Sequence, residues 1–225
     1  MSRSGGFPVR GRSAILAVAA TLAVVTLASA ARAQPGDRDT TEIAAGVSSP
    51  AVEQHILSEV RVGLLAHDIP ILGPQREHGV DLNSEVVFVS PVSERAVAGI
   101  AAAARWLFRP RPVVGVTQNV YGYTSQVYLG FTLTTPIAHG LLRSQDALLF
   151  DAGFGGAINN DRTLGSARDR LHLGSNVLFH PNLQVGYGID SRTSIALYYE
   201  HSSNAHLARY NEGLNNIGIR FGRGL

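Results

Sequence analysis

The fold can be approached from the stretch Ile195-Ala196-Leu197-Tyr198-Tyr199-Glu200-His201-Ser202-Ser203. Apolar and polar residues alternate along most of it, which is typical of a β-strand. In a β-strand, successive side chains point to opposite faces of the sheet. One face would then carry Ile195, Leu197, Tyr199, His201 and Ser203, and the other Ser194, Ala196, Tyr198, Glu200 and Ser202. An imidazole and a hydroxyl therefore share the apolar face, which either forms the core of a soluble barrel or meets lipid.

The same alternation recurs from residue 56 onward and predicts eight strands. These strands cover residues 56–67, 80–90, 113–119, 125–134 and 147–158, the segment 172–189, which contains the sixth strand, and residues 195–203 and 215–221. Their second face carries many glycines and the charged residues Glu59, Arg61, Asp81, Glu85, Asp151, Glu200 and Arg220. Side chains of this kind fill the interior of a narrow membrane barrel. We therefore predict an all-β fold, an eight-stranded antiparallel transmembrane β-barrel, in preference to a soluble lipocalin-like barrel that would bury the apolar face.

The 225 residues divide into an export signal, a leader and the barrel. Residues 1–33 combine a basic start, the apolar run Ala14–Ala28 and the cleavage pattern Ala31-Arg32-Ala33, as in a secretory signal peptide. Residues 34–54 are predicted to be a polar leader, and residues 55–225 the outer-membrane barrel. An Ala-rich connection near 91–110 interrupts the strands and has helical propensity, although turns on the periplasmic side of such barrels are usually short.

Composition excludes several classes of function. The chain has no cysteine, so neither disulfides nor thiolate metal sites are available. The formal net charge of +2 gives no reason to expect nucleic acid, and the eight histidines lack the paired spacing of a metal site. We expect no metal and no cofactor.

The candidate catalytic residues lie at and after the end of the seventh predicted strand. A serine hydroxyl needs an adjacent base to act as a nucleophile, and the i, i+2 spacing of His201 and Ser203 separates their backbones by roughly 6 to 7 Å. Asn215 has the parity to meet His201 from the neighbouring strand and orient its imidazole, and Asn204 could donate to an oxyanion. Spacing alone leaves open that His201 and Ser203 are simple interfacial residues.

The segment His201-Ser202-Ser203-Asn204-Ala205, followed by Asn211-Glu212-Gly213-Leu214-Asn215, resembles the outer-membrane lipid A deacylases of the PagL family. Two further segments share the resemblance: Ser58-Glu59-Val60-Arg61-Val62-Gly63 with His67-Asp68, and Thr124-Ser125-Gln126-Val127-Tyr128. It implies an eight-stranded barrel whose exterior serine esterase site removes the ester-linked 3-hydroxyacyl chain at the 3-position of lipid A. In this reading Ser203 is the nucleophile, His201 the base and Asn204 an oxyanion contributor.

The sequence departs from the family pattern at Asn215, where the family has an acidic residue. Asparagine can orient an imidazole by hydrogen bonding but cannot stabilise an imidazolium by charge. Glu212 is the nearest spare carboxylate and the alternative partner for His201. The expected substrate is lipid A of lipopolysaccharide in the outer membrane, and a homodimer is left open. The rival functions are a non-catalytic structural or adhesive outer-membrane barrel and a soluble carrier.

Overall fold

The computed structural model describes residues 56–161 and 169–225; the predicted signal peptide and leader lie outside this range. Within it, nine β-strands form one antiparallel sheet. They are β1 Leu57–Ala66, β2 Val80–Phe88, β3 Arg111–Asn119, β4 Gln126–His139, β5 Ala147–Asn159, β6 Val177–Phe179, β7 Asn182–Gly188, β8 Thr193–Ser202 and β9 Leu214–Gly224. The strands follow the order β4-β3-β2-β1-β9-β8-β7-β5, and β4 also pairs with β5, so the sheet closes into a barrel.

Strands β6 and β7 act as one interrupted strand, which makes the barrel eight-stranded as predicted. Both pair with β5: Phe179 lies opposite Gly156, and Asn182 lies opposite Gly153. His180 and Pro181 separate the two pieces. Proline has no N–H to donate to the ladder, so strands tend to break or bulge where it occurs.

The Ala-rich connection between β2 and β3 is present, but it contains two short 3₁₀ helices instead of one continuous helix. They span Arg95–Val97 and Ala102–Phe108. Gly99 lies between them and disfavours a continuous helix. Among the described residues, no helix is long and apolar enough to span a membrane.

The two faces of the sheet are arranged as the alternation predicts. Outward residues such as Val127 and Leu129 are 57% and 67% exposed. The predicted interior charges all point inward, and the central ones form ion pairs: Arg220 lies 2.9 Å from Glu85, and Arg61 lies 3.0 Å from Asp151. The guanidinium of Arg220 also stacks over the Tyr198 ring at 3.7 Å. Each buried cation is therefore compensated inside the barrel.

The barrel has two distinct ends. At the first, which we name the loop end, β8 finishes at Ser202 and the connections 67–79, 120–125 and 203–213 meet. The second, the turn end, carries the connections 89–110, 140–146 and 189–192 and the start of β1. The predicted site residues all belong to the loop end.

Candidate active site

His201 lies on the outer face of the barrel, one residue before the end of β8. It pairs with Asn215 of β9 in the strand register, and its Nδ1 lies 2.8 Å from Oδ1 of that asparagine. The hydroxyl of Tyr199 donates to the same Oδ1 at 2.7 Å. The structure thus brings His201 and Asn215 together across the strand pair.

The orientation of the Asn215 amide determines which His201 nitrogen carries the proton. Nδ2 of Asn215 donates to the carbonyl of Gly213 at 3.3 Å, so Oδ1 is the atom that faces His201 and Tyr199. Because Oδ1 can only accept, Nδ1 of His201 must be the donor. In a neutral imidazole Nε2 then keeps its lone pair and can accept a proton.

Gly213 supports the imidazole ring from the neighbouring chain segment. A Cβ atom at this position would overlap Cε1 of His201 and lie 3.2 Å from Nε2. Any larger residue would therefore displace the ring. Asn215 and Gly213 together hold the imidazole in one position.

Ser203 follows β8 and is half-buried. Its backbone pairs with Phe179, with N–O distances of 2.8 and 3.2 Å, which fixes the residue beside the break between β6 and β7. Within the described residues, no hydrogen bond joins Ser203 to His201. Ser202, by contrast, points into the barrel, where its hydroxyl is fully buried and donates to Gln126 at 2.7 Å.

Asn204 is engaged in contacts that the sequence did not predict. Its Nδ2 donates to the carbonyls of Leu173 and Tyr210, at 2.7 and 2.5 Å, and its backbone N–H donates to Asn211. In this conformation Asn204 anchors the loop that follows β8, and its donors do not point at Ser203.

Glu212 forms no hydrogen bond or ion pair with His201. One carboxylate oxygen accepts from Arg76 at 2.9 Å, and the other accepts from the backbone N–H of His172 at 2.9 Å. Of the two predicted partners for the imidazole, Asn215 therefore makes the contact.

A buried carboxylate, Glu77, ties the other loops of this end together. It accepts from the backbone N–H of Thr124 at 2.8 Å and pairs with His67 at 3.0 Å. Burial alone would lower the pKa of His67, but its hydrogen bonds to Asp81 and Glu77 raise that pKa to about 9. These contacts give the loop end a fixed framework around the site.

Comparison with known protein families identifies the family of this chain. A family model described as lipid A 3-O-deacylase (PagL) matches residues 99–223, which is more than half of the chain and includes every candidate site residue. This chain belongs to the PagL family. Family members are lipid A deacylases, and the family together with the barrel fold makes this an outer-membrane protein.

One solved structure agrees with the fold of this PagL family member. The crystal structure of the outer membrane enzyme PagL aligns with a TM-score of 0.53 at 15% identity, covering 75% of this chain and 99% of that one. A structure from the de novo design of transmembrane β-barrels aligns with a TM-score of 0.39 at 11% identity, covering 77% and 98%. No curated protein sequence matches the chain.

Two residues of the site in this PagL family member were absent from the sequence-based set. Tyr199 shares the outward face with His201, and this parity was the signal that it could reach Asn215. Gly213 gave no such signal, because its role depends on how closely the loop returns to the imidazole ring.

Proposed function

We propose that this protein is a serine esterase that hydrolyses the ester-linked 3-hydroxyacyl chain at the 3-position of lipid A. The observation that carries the proposal is the 2.8 Å contact between Nδ1 of His201 and Oδ1 of Asn215. An outward-facing histidine held in this tautomer presents Nε2 as a base. A structural or adhesive barrel has no need of such an arrangement on its lipid-facing surface, where polar groups are costly.

In the proposed reaction, Ser203 is the nucleophile. Nε2 of His201 takes the hydroxyl proton as the oxygen attacks the ester carbonyl, and the protonated imidazole then returns the proton to the leaving alkoxide. Water, activated by the same nitrogen, hydrolyses the acyl-enzyme and releases the fatty acid. Ser203 and His201 come into hydrogen-bond contact when substrate binds, since such contacts often tighten only in the complex.

In this reaction Asn204 donates a hydrogen bond to the oxyanion, after its side chain has changed hydrogen-bond partners. Its Nδ2 gives up one of its carbonyl partners, Leu173 or Tyr210, and donates to the tetrahedral oxyanion. The acyl chains of the substrate pack against the exposed apolar side chains on the barrel exterior near Ser203, among them Phe179 at 41% exposure. The active surface is thus continuous with the lipid phase.

Mass spectrometry of lipid A from cells that express the protein tests the proposal. We expect the wild type to remove one hydroxyacyl mass and Ser203→Ala to remove none. Ser202→Ala is the matched control: its hydroxyl is buried inside the barrel, so this variant should retain deacylation. Unchanged lipid A in the wild type, with the protein confirmed in the outer membrane, would instead favour the structural barrel.

A further inference from the structure

The turn end of the barrel exposes arginine side chains that have no acidic partner. Arg95, Arg143 and Arg192 are all exposed, and no carboxylate in the described part of the chain pairs with them. They lie in the three connections of this end, 89–110, 140–146 and 189–192. The cationic groups are therefore distributed around the rim.

The acidic residues of the three connections form other contacts. Glu94 pairs with Arg109. Asp146 is buried and accepts from the backbone N–H groups of Leu141, Leu142 and Arg143, and Asp190 accepts from the backbone of its own turn. Within the described residues, none of these carboxylates forms an ion pair with Arg95, Arg143 or Arg192.

Exposed apolar side chains accompany the arginines. Leu142, at the tip of the β4–β5 hairpin, is 82% exposed, and Leu141 beside it is 52% exposed. Three backbone hydrogen bonds of 2.7 Å to Asp146 fix this tip, so the two leucines are held outward. Phe108, in the 3₁₀ helix that packs against β4, is 52% exposed.

We propose that this surface binds the anionic headgroups of phospholipids in the leaflet at the turn end. We name it the basic rim and define it by Arg95, Arg143 and Arg192 with Phe108, Leu141 and Leu142. Cationic groups beside exposed apolar side chains are the pattern of surfaces that lie in a membrane interface. In an outer-membrane barrel both ends meet headgroups, and phosphate-bearing anionic lipid complements these unpaired guanidinium groups. The proposal does not depend on the proposed catalysis.

The chain provides its own probe for this binding. Trp106 is its single tryptophan and lies in the 3₁₀ helix Ala102–Phe108 at this end. The full chain is reconstituted in phosphatidylcholine vesicles that contain a small fraction of bromine-labelled phosphatidylglycerol or, separately, bromine-labelled phosphatidylcholine. We expect the labelled phosphatidylglycerol to quench Trp106 fluorescence more strongly. Each arginine near an anionic surface contributes roughly a fivefold preference, so Arg95→Gln with Arg143→Gln should remove most of it.

A matched variant and a salt titration complete the experiment. Arg209→Gln, at the loop end, should keep the preference for phosphatidylglycerol, because Arg209 is exposed on the opposite end of the barrel. In the wild type, added salt should weaken the preference by screening; this measurement applies even if the double variant does not fold. Three outcomes would overturn the proposal. The two labelled lipids could quench Trp106 equally, the preference for phosphatidylglycerol could be insensitive to salt, or only Arg209→Gln could remove that preference.

Discussion

The partner of the imidazole is the residue that most distinguishes this site. Oδ1 of Asn215 accepts from both His201 and Tyr199, so it orients the ring without contributing a negative charge. An imidazolium formed during catalysis would therefore be stabilised by a hydrogen bond alone. A carboxylate at the same position would accept both donors and add a charge, and charged hydrogen bonds contribute about 1 to 1.5 kcal/mol more than neutral ones.

Asn215→Glu is accordingly expected to raise kcat/KM for lipid A deacylation roughly tenfold. Asn215→Leu, which removes the acceptor, should lower it roughly a hundredfold. Deacylation kinetics on purified protein in mixed micelles would measure both effects. Glu212→Gln is the companion variant. It leaves the hydrogen bond between His201 and Asn215 intact, so it should retain most of the activity. A large loss in Glu212→Gln with none in Asn215→Leu would show that Glu212 serves the imidazole instead.

At the scale of elements, the loop 203–213 and the start of β9 determine where the imidazole can lie. The loop leaves β8 after Ser203, is fixed by Asn204, and returns through Gly213 directly against the ring. The site thus depends on the return path of a loop as well as on the register of two strands.

Gly213→Ala is expected to abolish most deacylation while the barrel still assembles, because the added methyl group would occupy the space of the His201 ring. Lipid A mass spectrometry reports the activity, and heat-modifiable migration on a gel reports the folded barrel. Gly73→Ala is the matched control, since a methyl group there meets nothing within 4 Å. Normal activity in Gly213→Ala would mean that the ring can shift without consequence.

Some features of the strands and loops can be predicted from the sequence, and others cannot. Alternation predicts that His201 and Asn215 share the outward face, because parity follows from strand geometry alone. That the two residues lie opposite each other depends also on the register of β8 and β9. Alternation does not predict the loop contacts of Asn204, since these depend on which distant carbonyl groups the chain meets. The break between β6 and β7 has a local cause, Pro181, rather than a signal in the alternation. Alanine content predicts a short helix or an ordered connection near 91–110, and the structure has two 3₁₀ helices there, with Gly99 between them.

For the whole molecule, the interior charges link strands that are distant in the sequence. Arg220 of β9 contacts Glu85 of β2 at 2.9 Å and Gln184 of β7 at 3.0 Å, so one side chain joins three parts of the wall. Such a pair stabilises the fold mainly because either charge alone would be costly to bury.

Arg220→Met should therefore lower the free energy of unfolding by about 3 to 5 kcal/mol, because it leaves Glu85 with only part of its compensation. Urea titration of the folded barrel in lipid vesicles would measure the loss. Arg223→Met, on the same strand but exposed, should change the free energy by less than about 0.5 kcal/mol. Equal losses in the two variants would argue against a role for the interior ion pairs.

The packed interior also has a consequence for the cell. Tyr128, Tyr198 and Arg220 lie across the barrel at 1% exposure each, and Gly115 leaves room for the Tyr128 ring. Side chains occupy the space that forms a water-filled channel in wider barrels. A bacterium can thus place many copies of this protein in its outer membrane without opening a route for antibiotics or bile salts, so remodelling of the cell surface need not compromise its permeability barrier.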